Sequence, residues 1–226
     1  MQLKKIDIGG LVTPNNVFLA PLAGYTNAVF REMCFNLGAG LTFTEMVSAK
    51  GLCYNSRNTR ELLYITPSYG GIRAVQLFGS DPEYMKRAAE SEDIAPFDLI
   101  DINMGCPVPK IYNNGEGSAL LNDFARARGI IEACKEGGKR VSVKFRIGVS
   151  ADKLVSSDFA KLCEDGGADM ITVHGRTRDK IYSGKVNFAQ IAAAKAAVKI
   201  PVIANGGVFS DCLLYTSPSP RDYAAS

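Results

Sequence analysis

Hydrophobic residues along this chain gather in short apolar runs, and amphipathic stretches fill the spaces between them. The runs are Val17–Ala20, Leu41–Glu45, Arg73–Phe78, Leu99–Asn103, Val141–Phe145, Met170–His174 and Val202–Asn205. Most are short and β-branched and read as apolar on both faces, as buried parallel strands should. The stretches between them carry helix signals. Phe30, Met33, Cys34 and Leu37 fall at i, i+3, i+4 and i+7 with Gly38 as a stop, which predicts a helix with that stripe inward. Asp81-Pro82 is a cap followed by proline at the first helical position, opening a helix to about Ala89. Asp123 can cap a helix whose Ala127, Ile130, Ile131 and Cys134 face inward, ending at Gly137-Gly138. Ser157 or Asp158 opens another that buries Phe159, Leu162 and Cys163, and an alanine-rich helix covers Phe188–Lys199.

A strand followed by a helix, repeated about every 30 residues, is the pattern of βα units around a parallel sheet. The units fit an α/β fold of the (β/α)8 TIM-barrel kind better than a doubly wound sheet. A doubly wound dinucleotide fold should carry Gly-x-Gly-x-x-Gly after its first strand, and Ala20-Pro21-Leu22-Ala23-Gly24 stands there instead. Seven strands leave such a barrel incomplete, one short of closure. After Asp211 the character changes to Cys212-Leu213-Leu214-Tyr215-Thr216-Ser217-Pro218-Ser219-Pro220, whose prolines and hydroxyl residues do not suit a seventh helix and eighth strand. The run resembles a translated sequencing adapter, so 212–226 is expected to be a non-native or disordered tail on a barrel domain spanning 1–211.

Composition narrows the class without naming a function. Of 226 residues, 46% are hydrophobic and 22% charged, which is the profile of a globular protein rather than a disordered one. A net charge of +3 leans only weakly towards anionic partners. The cysteines at 34, 53, 106, 134, 163 and 212 form no CxxC pair. Cys34, Cys134 and Cys163 fall on the apolar faces of helices, where a buried small hydrophobe is expected. With no signal peptide at the N-terminus, a reducing cytoplasm is the expected compartment. The apolar runs are too short to span a membrane. The single histidine, His174, argues against a histidine-based metal site.

In a barrel of this kind chemistry is done at the C-terminal ends of the strands. Those positions hold Pro21, Leu22 and Ala23, then Glu45, Gln76, Asn103 with Cys106, Lys144 with Arg146, His174 with Arg176, and Asn205-Gly206-Gly207. The set contains no Ser-His-Asp pattern, no acid and base carboxylate pair and no metal cage. Lys144 projects from a strand towards the interior or its rim, where a lysine is costly unless it meets an anion. Gln76 offers a donor and an acceptor to the edge of an amide-containing ring. His174 beside Arg176 suits phosphate or pyrimidine recognition, and Gly206-Gly207 allow backbone to approach a phosphate. Cys106 sits in Asp101-Ile102-Asn103-Met104-Gly105-Cys106-Pro107, a stiff turn at a strand mouth. From the turn alone its thiol could be a nucleophile, a redox centre or a proton donor.

These blocks together resemble one family. Ala-Pro-Leu-Ala-Gly at 20–24, Val75-Gln76-Leu77, Asp101 to Lys110, Val143-Lys144-Phe145-Arg146, Val173-His174-Gly175-Arg176-Thr177 and Ile203-Ala204-Asn205-Gly206 are similar to those of the tRNA-dihydrouridine synthases, in particular the bacterial DusB-type branch. The resemblance covers residues 1–211. It implies a flavin barrel that reduces the C5–C6 double bond of selected uridines in tRNA, with FMN as cofactor and NADPH (or NADH) as reductant. It implies that Pro21, Leu22 and Ala23 line the flavin ring, with Gln76 and Lys144 at its edge. Asn205, Gly206 and Gly207 would approach the phosphate, and His174 joins this cofactor set. Cys106 would give the proton to C5, and Asn103 and Arg176 are the candidates for holding the uracil carbonyls. Lys110, Arg178, Lys180 and Lys185 would meet tRNA phosphates.

The resemblance further implies a monomer with no metal and no membrane partner, and a C-terminal helical tRNA-binding domain that this sequence does not contain. Gly207 stands where the family pattern places an acidic residue. Without the site after an eighth strand, only half of a barrel phosphate site remains, so this chain is expected to bind FMN poorly. Two other readings are a flavin barrel of the dihydroorotate dehydrogenase or old-yellow-enzyme type, and an inactive RNA-binding remnant.

Overall fold

The computed structural model describes residues 3–208. The chain opens with a hairpin, β1 (Ile6–Ile8) against β2 (Leu11–Thr13), and then enters the main sheet at β3 (Phe18–Leu19). There follow α1 (Ala28–Asn36), β4 (Leu41–Ser48), α2 (Ala49–Cys53), α3 (Arg57–Glu61), β5 (Arg73–Phe78), α4 (Pro82–Ala89), β6 (Leu99–Met104) and α5 (Pro109–Asn113). The second half holds α6 (Phe124–Glu136), β7 (Arg140–Arg146), a small hairpin of β8 (Gly148–Ser150) and β9 (Lys153–Leu154), α7 (Ser156–Asp165), β10 (Met170–His174), α8 (Phe188–Ala197) and β11 (Val202–Asn205).

All seven strands anticipated from the apolar runs form. They make one parallel sheet in the order β11-β10-β7-β6-β5-β4-β3. Strands follow one another in space as they do in sequence, with helices between, which is the topology of a (β/α)8 barrel lacking closure. Among the described residues the sheet stays open between β3 and β11. The proposed tail at 212–226 lies outside the described residues.

Register shows what the strands do with their two faces. One face carries Val75, Leu77, Ile100, Ile102, Val141, Val143, Phe145, Ile171 and Val173, which enter the main hydrophobic core with the helices. Phe145 packs its ring 5.0 Å from Phe159 of α7, and Phe159 meets Phe124 edge-on at 5.2 Å. The other face turns into the barrel. Its lower level is apolar, where Leu41, Phe43, Ala74, Leu99 and Met170 join Ile8 of the β1–β2 hairpin in a second cluster that plugs the bottom. Above it the same face is polar, with Gln76, Asp101 and Ser142 paired across neighbouring strands, then Asn103, Lys144 and Thr172, then Arg146 and His174. The expectation of strands apolar on both faces is therefore corrected. Both faces are buried, but the inward one changes from apolar to polar towards the C-terminal mouth.

The helix signals hold at their caps. Asp81 accepts from the Glu83 amide at 2.9 Å with Pro82 at the first helical position, and Asp123 accepts from the Arg126 amide at 3.0 Å. Three details differ. The helix expected from Ser157 or Asp158 begins at Ser156, after Val155, and has no side-chain cap. The alanine-rich helix stops at Ala197 because Val198 turns to extended backbone before Ile200-Pro201. The stripe expected to bury the first helix does not do so. Met33 is 49% and Leu37 81% exposed, Cys34 is only half-buried, and the buried residue of α1 is Arg31. Its guanidinium donates to the carbonyls of Thr26 and Tyr64, so backbone acceptors satisfy the buried charge. The helix lies at the open edge of the sheet, and among the described residues its main packing partner is β4.

Candidate active site

The residues picked out at the strand ends do converge on one end of the sheet. Asn103 pairs with Lys144 across β6 and β7, Arg146 pairs with His174 across β7 and β10, and His174 pairs with Asn205 on β11. Because parallel strands run in one direction, residues at equal register share one level of the sheet. Gln76, Asp101, Arg146, His174 and Arg176 are all buried, with Asn103 at the edge of that class.

Cys106 follows β6 on a turn held from both sides. Asn103 Oδ1 accepts the amides of Gly105 at 3.1 Å and Cys106 at 2.9 Å. The Cys106 carbonyl accepts the Ser118 hydroxyl at 2.7 Å and its amide at 3.1 Å. Gly117, at φ +59°, makes that second clamp possible, since a Cβ there would lie 2.9 Å from the Cys106 Cβ. Burial pushes the thiol above its ordinary range, while the Val108 amide and the charges of Arg146 and Lys144 pull the other way. The outcome is a half-buried cysteine that stays protonated at neutral pH.

Around it stands a cationic group. Burial lowers the Lys144 ammonium to about 8, opposed by Asp101 and Cys106. Burial and the charges of Lys144, Arg146 and Arg176 push His174 down to about 3, so its imidazole is neutral. Its Nε2 is buried with no protein hydrogen-bond partner. Gly206 and Gly207 have φ of +100° and +75°, and a Cβ on Gly206 would sit 2.9 Å from that Nε2. At Gly207 a Cβ would meet Val186 at 2.8 Å, so glycine in place of an acidic residue is what this backbone requires. Arg176 donates to the Gly184 carbonyl at 2.9 Å. On the opposite side Pro21, Leu22 and Ala23 follow β3, and the Glu45 carboxylate accepts the Gly24 amide from a bulge in β4.

Two residues that strand-end reasoning left without a role belong to this site. Arg146 is 2% exposed and donates to the carbonyls of Gly105, Thr177 and Ile181, tying the cysteine turn to the loop after β10. Asp101 lies one level beneath Asn103, where it accepts from Gln76 and Ser142, both at 2.6 Å. Their signal was the i, i+2 spacing with Lys144 and Asn103, which places them on the same inward face. Among the cations expected to meet phosphates, Arg178 stacks 3.7 Å from the Tyr112 ring, while Lys110, Lys180 and Lys185 are exposed. Among the described residues no cluster could hold a metal ion, and no helix is long and apolar enough to cross a membrane. Chemically, the arrangement offers a protonated thiol, a neutral imidazole and several cations to an anion-bearing ring.

Comparison with known proteins identifies the family. The chain matches the family described as Dihydrouridine synthase (Dus) over residues 18–212. It is 41% identical over 206 residues to tRNA-dihydrouridine synthase B of Pseudomonas aeruginosa, covering 91% of this chain and 62% of that protein. The protein of the same name from Vibrio cholerae is 38% identical, with 91% and 64% covered. This chain thus spans less than two thirds of these relatives' length. Among solved structures it resembles an old yellow enzyme homologue from Zymomonas mobilis, at TM-score 0.66 and 15% identity, over 95% of this chain and 85% of that one. Histamine dehydrogenase from a Rhizobium species gives 0.67 and 15%, covering 90% and 42%. Those two likenesses concern the barrel fold alone. The sequence match is specific where they are general, and with it the chain belongs to the dihydrouridine synthase family, in its B-type branch.

Proposed function

We propose that this chain carries the catalytic barrel of an FMN-dependent tRNA-dihydrouridine synthase, reducing the C5–C6 double bond of a uridine in tRNA at the expense of NADPH or NADH. The observation that carries the reading is Cys106, a protonated thiol clamped at the mouth of β6 beside Lys144 and Arg146. In this reading residues 1–211 form the catalytic domain and 212–226 stand apart from it.

The donor set fits the cofactor. Lys144 offers an ammonium to a ring that gains negative charge, and the neutral His174 has a buried nitrogen free to bond. Gly206 and Gly207 keep the end of β11 clear of side chains for a phosphate, with Arg176 adjacent. Pro21, Leu22 and Ala23 supply an apolar wall, and Gln76 and Asn103 each keep one amide hydrogen uncommitted. When bound, FMN supplies hydride to C6 of the uracil and is recharged by the nicotinamide cofactor.

Cys106 holds its proton at Sγ and gives it to C5, leaving a thiolate that takes a proton back from solvent. A thiol suits this task, because burial keeps it protonated while Arg146 and Lys144 favour the anion left behind. Asn103 and Arg176 hold the uracil carbonyls, and the base must leave its stack to enter. The exposed Lys110, Lys180 and Lys185, with Arg178 flattened on Tyr112, receive the phosphates.

In a full-length protein of this sequence, Cys106→Ala is expected to bind FMN and accept electrons from NADPH while dihydrouridine formation falls by about 10²- to 10⁴-fold, the worth of general-acid catalysis. Mass spectrometry of tRNA digests measures the product. Undiminished product sinks the acid role, and a protein that takes up no FMN on reconstitution sinks the flavin reading.

A further inference from the structure

Asp101 is a carboxylate in the polar barrel interior that the proposed reaction leaves unused, and it is 1% exposed. A carboxylate in such a place is costly, and packing alone would be better served by an apolar residue. Among the described residues it has no ion-pair partner within 4.0 Å, and its two oxygens accept only from Gln76 Nε2 and Ser142 Oγ, both at 2.6 Å. Gln76 Oε1 in turn accepts from Asn103 Nδ2 at 2.9 Å, and Asn103 Oδ1 accepts the Gly105 and Cys106 amides. The chain of bonds therefore has one direction. Every donor points down towards Asp101, from the cysteine turn through two carboxamides.

We infer that Asp101 is a positioning residue that fixes the orientation of the Gln76 and Asn103 carboxamides and, through them, the pose of Cys106. A carboxamide presents a donor at one end and an acceptor at the other, and packing distinguishes the two ends poorly because they are nearly the same size. A carboxylate can only accept. Facing Asp101, Gln76 must present its NH2 group, which leaves its oxygen for Asn103. Asn103 must then present its own NH2 to Gln76, which leaves its oxygen for the two turn amides. With Asn103 reversed, an NH2 group would face the amide hydrogens of Gly105 and Cys106, donor against donor, and the turn would lose its inner clamp. The same fixed orientation leaves Gln76 and Asn103 each with an outward N–H, so both would meet a bound ring as donors. Bonds aligned in one direction in a water-poor interior strengthen one another, which makes the anchor's identity matter at a distance.

This inference gives Cys106 its importance from the proposed reaction, but its test does not depend on turnover. The 226-residue chain is treated with iodoacetamide across the range of thiol titration, and modification of Cys106 is followed by peptide mass spectrometry. The charged groups facing the thiol are Lys144 and Arg146 from β7 and Glu116 from the loop before Ser118. Asp101→Asn is expected to change the Cys106 rate by about threefold to tenfold, the effect of a lost turn hydrogen bond. In an Asn103→Ala background, where the chain is already cut, the same substitution is expected to leave the rate unchanged. The exchange Asp101→Asn with Gln76→Glu restores an acceptor-only group facing Asn103 and is expected to return the parental rate. An equal effect of Asp101→Asn in both backgrounds means that the carboxylate acts through its field or through general loosening, and overturns the inference. So does a parental rate in Asp101→Asn, or an exchange that restores nothing. Continued protection of the fully buried Cys134 and Cys163 reports folding. Should Asp101→Asn expose them, Gln76→Met takes its place with the same pair of expectations. Whether Cys106 is the acid is decided separately, by tRNA reduction in Cys106→Ala.

Discussion

The two faces of the central strands are built from adjacent residues and obey different rules. On β6, Ile100 and Ile102 point to the helices while Asp101 and Asn103 point into the barrel. All four are buried or nearly so. The outward pair belongs to a cluster where volume and apolarity are what count, and another well-fitting hydrophobe would serve. The inward pair is specified atom by atom, because each donor must meet an acceptor. Burial alone does not separate a core residue from a site residue here; hydrogen-bond direction does.

The largest effect expected is on the outward side. Phe159→Ala removes a ring packed against Phe145 and Phe124 and should cost about 3–5 kcal/mol, read from urea unfolding. The turn around Cys106 should keep its protection in whatever fraction stays folded. A loss at the turn as large as the global loss would show that the two faces are not independent.

Gly206→Ala tests the inward side at its rim. The left-handed backbone and the 2.9 Å approach to His174 should cost about 1–3 kcal/mol, and disturb the His174 side chain more than any residue of the outer core. Thermal unfolding measures the cost, and the imidazole signals in an NMR spectrum report the disturbance.

A subtler difference lies in pH. Lys144 titrates at about 8 in the folded chain against an ordinary 10.5. At lower pH both folded and unfolded chains hold the proton, and the folded state bears the full cost of the buried charge. Between those two values the unfolded chain holds more protons, so this lysine makes stability rise with pH. Lys144→Met should abolish that share of the rise, seen as a smaller gain in urea midpoint from neutral to alkaline buffer. No outward-face substitution should change that slope.

The smallest effect expected is at the open edge. Leu37→Lys alters an 81% exposed side chain and should shift stability by no more than about 0.5 kcal/mol, despite lying in the most regular apolar stripe of the first helix.

That last case shows where pattern reading stops. Periodicity located α1 well but gave it the wrong buried face, since Met33 and Leu37 of the stripe are exposed, Phe30 and Cys34 are only half-buried, and Arg31 is inside. The period of 3.6 reports that one side of a helix differs from the other, not which neighbour is there to cover it. Asp81 and Asp123, by contrast, were readable as caps, because a cap is a local bond to an amide two or three residues ahead. The site was legible where it sat at strand ends. Cys106, Lys144, Arg146 and His174 could be listed from the chain alone, whereas the parts that Arg146 and Asp101 play showed only through partners far away in sequence.

By itself, then, the sequence determined the seven strands, their order, the parallel βα architecture and the family to which the chain belongs. Each of these rests on local signals or on motifs that survive in one dimension: apolar runs, caps, and the Asn-Met-Gly-Cys-Pro turn. Tertiary structure alone decided that the strands' inward face turns polar towards the mouth, that Asn103 spends its oxygen on the cysteine turn, and that Asp101 anchors the chain of bonds beneath it. The reason is physical. A hydrogen bond between Gln76 and Asp101 joins residues 25 positions apart, and its donor and acceptor are assigned only when neighbouring strands fall into register.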